Sequence, residues 1–584
     1  MQSETQKTHP KKYLYRLLSD VAGKLYLYIE GKTEVMPGIE ISVPEPQFGD
    51  FSTNLAMRLA KVMGQNPKTI AENLATRIKS MDTENYFEAI EPMGGFVNFK
   101  LSRNYLLKNL QNILEQGDLY GCSVAGEGKT VLVEYFQNNV AKPPHVGHLR
   151  SAVVGDSLLR IFRSQGYKAI SDTHIGDWGV QFGILIYAYK TMGDKAAIEK
   201  DPINELNKLY VAMSAKIDAD ESLREKGKEE FVKLEKGDTE NRELWQWFVR
   251  VSVEDFESYR KLLGILPFDH NLGESFYEDK MPAVLGEFKA KNLVVTGESG
   301  EQYVDLEQYG LGRCILVKSD GGTTYHLRDF ATYIYRKQEF NFFKNIYVVD
   351  NRQSHHFRQL FKVLELAGYP TLDDSQHVDL GFMSLPEGPI STRKGTIISL
   401  QNLLDEATAR ALKIIEEKNS DLENKSAIAR EVALAAIKYF DLSHNRKTEF
   451  VFTWDKALSF EGNTGPYLQY THARINGILR KADQQVSMSA GQSEGINQHE
   501  TAILRKFIQF SDVIAQVTQD YLPNSLCNYL FELSQTFNSF YQEVPVLQEK
   551  DEQLKSFRIN LITATAQVIR NGLYLLGIEA PEEM

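Results

Sequence analysis

Two histidines three positions apart, His145 and His148, enclose a glycine in the run Lys142-Pro143-Pro144-His145-Val146-Gly147-His148. A β-rich stretch, Thr130 to Phe136, precedes the run, and Leu149, Val153, Leu158, Leu159 and Phe162 follow it at helical spacing. The run is therefore expected to carry the chain from a strand into a helix. Prolines suit that place, because they cannot continue a strand and they pre-set the helix entry. A helix start offers unpaired N–H groups and a positive dipole end, which together attract phosphate. Gly147 would let a nucleotide approach the backbone closely. Two imidazoles could donate hydrogen bonds to phosphate oxygens as charge builds in a transition state. On these residues alone two other readings stay open. A capping pair of histidines would not need the glycine, and a metal pair would need a third ligand that the sequence does not supply. A nearby phosphate-loop look-alike, Gly126-Glu127-Gly128-Lys129-Thr130, is rejected: Ser123 stands where that motif needs glycine, and the loop precedes its strand.

The elements that must position such a site read as α/β. Lys168–Thr173, Ile346–Asp350 and His377–Phe382 are further strand candidates, with a helix from about His355 to Ala367. Strands alternating with helices predict a Rossmann-type parallel sheet covered on both faces. Ahead of it, residues 1–118 read as an α+β module, with helical periodicity over 11–29 and 70–78 and a Gly94-Gly95 turn into a strand. Polar residues rich in Lys and Glu at about 190–266 predict a helical insertion packed on the catalytic domain, which spans 119–401. Residues 402–584 read as an all-α bundle, broken by a Ser/Gly/Gln-rich loop near 484–498. The 584 residues, 42% hydrophobic and 25% charged, have the balance of a folded globular chain and exclude a disordered one. Cys122, Cys314 and Cys527 lie far apart, so neither a disulfide framework nor a Cys-rich zinc site is available. No run of about 18 apolar residues exists, and the opening MQSETQKTHPKK lacks a signal-peptide core. The expectation is a cytoplasmic protein without a membrane partner. It is also expected to be a monomer, since coiled-coil heptads are absent.

The histidine motif does not stand alone. HVGH resembles the HIGH signature by which class I aminoacyl-tRNA synthetases bind ATP. Within that class the chain is similar to the arginyl-tRNA synthetases. THIGDWGVQFG (173–183), GESFY (273–277), TTYHLRD (323–329), STRKG (391–395) and FEGNTGPYLQYTHARI (460–475) carry the likeness, with PQFGDFSTNLAM near the start and LLGIEAPEEM at the close. The resemblance implies an ATP-dependent ligase of protein synthesis. Arginine would be activated to arginyl-adenylate, with Mg²⁺ accompanying ATP and no structural metal, and then passed to the terminal ribose of tRNA(Arg), through the 2′ hydroxyl. It implies that tRNA must bind before activation. By similarity, His145 and His148 stabilise phosphate charge beside Gly147. Gly176, Asp177, Trp178 and Gly179 would line the adenosine pocket, although a tryptophan packed in the core stays open for Trp178. Glu274 and Asp329 would hold the guanidinium with Tyr325 beside them, which suits a planar cation that pairs with carboxylates. Gln137, Asn138, Asn139, His148 and Gln353 would take the α-amino and carboxylate ends. The family usually shows Ser-Ser-Pro-Asn where this chain has Phe136-Gln137-Asn138-Asn139, so only Asn139 is retained. The second class signature, KMSKS, is degenerate: its second lysine falls at Thr392, with Arg393 and Lys394 nearby. Lys142 is the candidate for the missing phosphate charge. His355 and His356 read as helix-surface or core histidines.

The net charge of −12 argues against indiscriminate binding of nucleic acid. A local stretch differs: Lys425–Lys481 holds nine Lys/Arg against five acids, interleaved with aromatic residues. Cations and rings together suit splayed bases. Arg446, Tyr467, Tyr470 and Arg474 are the candidate tRNA contacts, although core packing also accounts for such rings. The family places the anticodon on the C-terminal bundle and the outer corner of tRNA on the N-terminal module. Two other classes stay open: an inactive RNA-binding paralogue and a small nucleotidyltransferase. The intact motifs argue against the first and the long helical C-terminus against the second.

Overall fold

The computed structural model describes residues 9–27, 38–385, 388–389, 400–419, 421–482 and 495–584. The chain divides into two compact units. The smaller comprises 1–124, 475–512 and 532–571; the larger comprises 125–474, 513–531 and 572–584.

In the smaller unit an antiparallel sheet runs Phe51–Thr53, Phe96–Leu101, Phe87–Met93, with Phe96–Leu101 in the centre. The Gly94-Gly95 turn closes the Phe87–Leu101 hairpin. Helices Pro10–Leu27, Leu55–Met63 and Pro67–Met81 accompany the sheet, the last buried along Ile70, Leu74 and Ile78. Tyr120 donates to the carbonyl of Phe507, and a buried Arg558–Glu500 pair at 2.7 Å ties the helical segments of this unit.

The larger unit holds the parallel sheet. Its strands are β1 (Thr130–Glu134), β2 (Lys168–Asp172), β3 (Lys344–Asp350) and β4 (Ser375–Leu380), in the order β4-β3-β1-β2. Val131 faces Ala169 on one side and Lys344 on the other. Because β1 leads to β2 on one side and β3 on the other, the strand order reverses at β1. Open α/β sheets bind ligands at the carboxyl ends of such strands. Helix α1 (Val146–Ser164) follows β1 and is buried around most of its circumference, including Arg150, Asp156 and Arg160. Those charges are paired: Arg150 with Asp441 at 3.1 Å and Arg160 with Asp156 at 2.8 Å. Helix α2 (Val180–Met192) carries the insertion, whose helices Lys195–Lys200, Pro202–Ala219, Ser222–Glu235 and Thr239–Leu262 bury Leu206, Leu234 and Phe248 against Phe182 and Leu185. A three-stranded antiparallel sheet that the sequence reading did not anticipate (Val294–Thr296, Gln302–Asp305, Arg313–Val317) leads into α3 (Tyr325–Phe340). Helix α4 (Ser354–Leu366) follows β3, and the helical C-terminal part of this unit opens with Leu400–Lys418, followed by α5 (Lys425–Leu442). Among the described residues no helix is long and apolar enough to cross a membrane.

Candidate active site

Beyond β1 the chain turns through a loop that is held by helix α1. Ser151, one turn into α1, accepts from the Phe136 N–H at 2.9 Å and donates to the Val348 carbonyl at 2.7 Å. Phe136 and Ala141 adopt left-handed backbone, at φ 59° and 60°. Non-glycine residues there cost about 1–3 kcal/mol each and persist only where surroundings over-determine them. Gln137 faces a cavity of about 1010 Å³ and donates to Glu134 at 3.1 Å. Asn139 also lines that cavity, and its Oδ1 lies 2.5 Å from where a Cβ on Gly176 would stand. Asn138 does not line it: 1% exposed, it donates to the Phe136 carbonyl.

The two histidines cap α1 and face the same cavity. The Gly147 N–H donates to Nδ1 of His145 at 3.0 Å, and the His145 N–H donates to Nδ1 of His148 at 3.2 Å. Both Nδ1 atoms are acceptors, so both rings are the Nε2–H tautomer with that N–H left for a ligand. Burial, with Arg352 and Lys142 nearby, lowers the pKa of His145. Burial with His145 and Lys142 pushes His148 down to about 3. At neutral pH these rings are donors, not cations. The capping arrangement does need glycine, contrary to expectation, because a Cβ at Gly147 would stand 2.8 Å from Cε1 of His145. Lys142 lies outside the cavity lining, with its ammonium 5.2 Å from the centre of the Tyr210 ring.

Carboxylates occupy the facing wall. Glu274 opens a short 3-10 turn, Glu274–Tyr277, and its N–H donates to the Ile175 carbonyl at 3.1 Å. Asp177 steadies this turn by accepting from the Ser275 N–H and hydroxyl at 2.8 and 2.6 Å. Asp177 is therefore support for Glu274, not a wall of the cavity. Trp178 also misses the cavity: it packs edge-on against Phe231 and Trp245 of the insertion, centroids 5.5 Å apart in each case. Of the four Gly176–Gly179 residues, Gly176 alone lines the cavity, and the adenosine-wall expectation for Trp178 is replaced by packing.

Tyr325 and Asp329 project from the first turns of α3, as the i, i+4 spacing predicts, and both line the cavity with Gln353 and Glu274. Oε2 of Glu274 accepts from Arg328 at 3.0 Å, and Arg328 also pairs with Glu278 at 2.8 Å. Burial raises the pKa of Glu274 despite Arg328. For Asp329 burial pushes upward, but the bond to His356 and its charge, with His174 and Arg328 nearby, outweigh it and lower its pKa. That bond, Nε2 to Oδ2 at 2.6 Å, corrects the assignment of His356 to surface or core, whereas His355 is exposed. Sequence reasoning also missed Arg328, Arg352 and His174. A signal existed for His356, which lies three residues beyond Gln353 and hence on the same side of the following helical turn. Arg393 and Lys394 lie outside the described residues.

On the helical part Arg446 is 4% exposed and pairs with Asp379 at 2.6 Å, so it is corrected from an RNA contact to a structural cation. Tyr467 packs on Phe531, centroids 5.7 Å apart. Tyr470 is 38% exposed, with the Arg474 guanidinium 4.7 Å from its ring centre. Among the described residues no group of three His, Cys, Asp or Glu could hold a metal ion.

Family models match three stretches. Residues 12–101 match an arginyl-tRNA synthetase N-terminal domain, 109–454 the class I (R) tRNA synthetase catalytic domain, and 468–584 a DALR anticodon-binding domain. The arginine–tRNA ligase of Alkaliphilus metalliredigens is 42% identical over 555 residues, covering 95% of this chain and 97% of the relative. That of Clostridium beijerinckii is 40% identical, covering 97% and 99%. Among solved structures, the arginyl-tRNA synthetase of Plasmodium falciparum superposes with a TM-score of 0.83 at 25% identity, covering 99% of both chains. That of Thermus thermophilus gives 0.82 at 26%, covering 98% of this chain and 100% of the other.

Proposed function

The chain belongs to the class I arginyl-tRNA synthetases, and we propose from that premise how its own residues carry the reaction. It is an arginine–tRNA ligase: arginine and ATP give arginyl-adenylate, and the arginyl group passes to the 3′-terminal ribose of tRNA(Arg). ATP enters as its Mg²⁺ complex. Its phosphates dock at the tip of α1, where the Nε2–H groups of His145 and His148 donate to oxygens as charge builds. Gly147 and Gly176 admit the nucleotide. Lys142 reaches over from Tyr210 to add positive charge, joined by Arg393 and Lys394.

The substrate guanidinium lies between Glu274 and Asp329, with Tyr325 beside it. Gln137, Asn139, His148 and Gln353 take its α-amino and carboxylate end, and Asn138 holds the loop that carries Gln137. The substrate carboxylate then attacks the α-phosphate and pyrophosphate leaves. In the second step the 2′ hydroxyl of the terminal ribose attacks the carbonyl carbon of the adenylate, the acyl–phosphate bond breaks and AMP leaves. Positioning and fixed dipoles supply most of the acceleration.

Residues 1–118 meet the outer corner of tRNA, 119–401 catalyse, and 402–584 meet the anticodon side with Tyr467, Tyr470 and Arg474; the three domain models follow in that order, although the catalytic model runs on to 454 and the anticodon-binding model begins at 468. One chain suffices as the working unit in the cytoplasm, since every proposed catalytic and arginine-holding group lies on it. The observation that carries this reading is the convergence of His145, His148, Glu274 and Asp329 on one cavity. Charging total tRNA with each amino acid in turn tests it, with arginine alone expected to load. Exchange of pyrophosphate into ATP should stay near background until tRNA is added; robust exchange without tRNA contradicts the tRNA-first order.

A further inference from the structure

His356 stands on the cavity wall with Nε2 2.6 Å from Oδ2 of Asp329. Its side chain is 11% exposed. Aromatic neighbours box the ring: Tyr325 at 5.1 Å, His326 at 4.7 Å and Phe357 at 5.3 Å between centroids. Nδ1 is buried and has no hydrogen-bond partner. A ring kept only to fill space would leave that nitrogen's lost hydration uncompensated, where a phenyl ring would lose nothing. The atom that accounts for an imidazole here is therefore Nε2, and its one partner is Asp329.

With Nε2 donating, Oδ2 is tied down and Oδ1 remains for a ligand. Glu274 is arranged alike, its Oε2 held by Arg328 at 3.0 Å. A carboxylate fixed in this way loses no rotamer freedom when a cation arrives, which is where preorganised sites gain affinity. We propose that His356 is a positioning residue for substrate arginine, holding Asp329 in the rotamer that offers Oδ1 to the guanidinium. The inference rests on the reading of Asp329 as a guanidinium partner.

Two variants of the full-length enzyme separate hydrogen bonding from packing. His356→Phe keeps a ring among the aromatic neighbours and removes the donor; His356→Gln keeps a donor and alters the packing. In steady-state aminoacylation His356→Phe should raise the KM for arginine about 10- to 100-fold, the size of one hydrogen bond to a charged group. Its kcat and its KM for ATP should stay within about threefold of the parent. His356→Gln should restore an arginine KM near that of the parent. An unchanged arginine KM in His356→Phe, or a His356→Gln variant as defective as the Phe variant, overturns the proposal. Asp329→Asn, measured alongside, separates the two levels. If it leaves the arginine KM unchanged, the guanidinium reading itself falls. If it is crippled while His356→Phe is normal, the positioning role alone falls.

Discussion

A methyl group on Gly147 would stand 2.8 Å from Cε1 and 2.9 Å from Nδ1 of His145, closer than carbon atoms tolerate. The ring would have to swing away, and the bond from the Gly147 N–H that fixes its tautomer would be lost. Gly147→Ala should therefore lower single-turnover adenylate formation roughly 100-fold, the cost of one misplaced transition-state donor, with an unchanged melting temperature; a normal rate would detach His145 from the phosphates. Lys142 is a second case. Its ammonium rests on Tyr210, and burial lowers its pKa. Lys142→Ala should also cut adenylate formation about 100-fold. If its kinetics are unchanged, the charge falls to Arg352, which lines the cavity and is pinned to Asp350 by two bonds of 2.8 Å. Residue by residue, the sequence was legible where chemistry and local geometry coincide. Prolines, glycine and histidines in one heptapeptide announce a helix tip, and i, i+4 spacing joins Tyr325 to Asp329. It was illegible where a role depends on a distant partner. His356 acts on a residue 27 positions away. Asp177 and Trp178 share a motif with Gly176 yet face other neighbours.

Helix α1 is held in place from outside itself. Arg150, buried on its second turn, pairs with Asp441 of α5 at 3.1 Å, bonds the Gly381 carbonyl and lies 4.7 Å from the Phe450 ring centre. Burial raises the Asp441 pKa even against this guanidinium, and Asp441 is the one carboxylate paired with Arg150 among the described residues. Asp441→Ala would leave Arg150 buried without its counter-ion and should destabilise the larger unit by about 3–5 kcal/mol, read as a lower denaturant midpoint. A midpoint within error of the parent would show that the carbonyls of Gly381, Thr448 and Arg446, which accept from Arg150, suffice. The helix itself was readable, because its apolar stripe is long. Strands β1, β2 and β3 were readable as short apolar runs, since both their faces are buried, whereas β4 buries only Val378 and Leu380. The antiparallel sheet between Val294 and Val317 was not. Its strands are three to five residues long, and Val294–Thr296 is largely exposed, so neither an alternating nor a continuous apolar pattern develops.

At the scale of the whole chain, folding removes charges from the surface that the sequence counts as available. Lys438 and Arg446 are buried, so two of the nine cations between Lys425 and Lys481 cannot meet RNA. Burial also shapes how stability depends on pH. It pushes His148 down to about 3 and His326 and His377 to about 4, all within the larger unit. An unfolded histidine binds its proton near pH 6.5. Between that value and the folded one the unfolded chain holds more protons, so stability is present above pH 6.5 and is lost as pH falls toward 4. Asp255, pushed up to about 6 by burial and then Asp201, works in the opposite sense, as do Glu274 and Asp441, which burial also raises. His377 offers a clean test, because it lies outside the cavity lining and its ring nitrogen bonds the Val349 carbonyl at 3.1 Å. His377→Gln can keep that bond and cannot titrate. Relative to the parent, the variant should gain about 2 kcal/mol between pH 7 and pH 5, the linkage value for a histidine depressed by some two and a half units. Urea midpoints for both proteins at pH 7, 6 and 5 measure it. Curves that stay parallel across that range would show that His377 takes up its proton without leaving the fold.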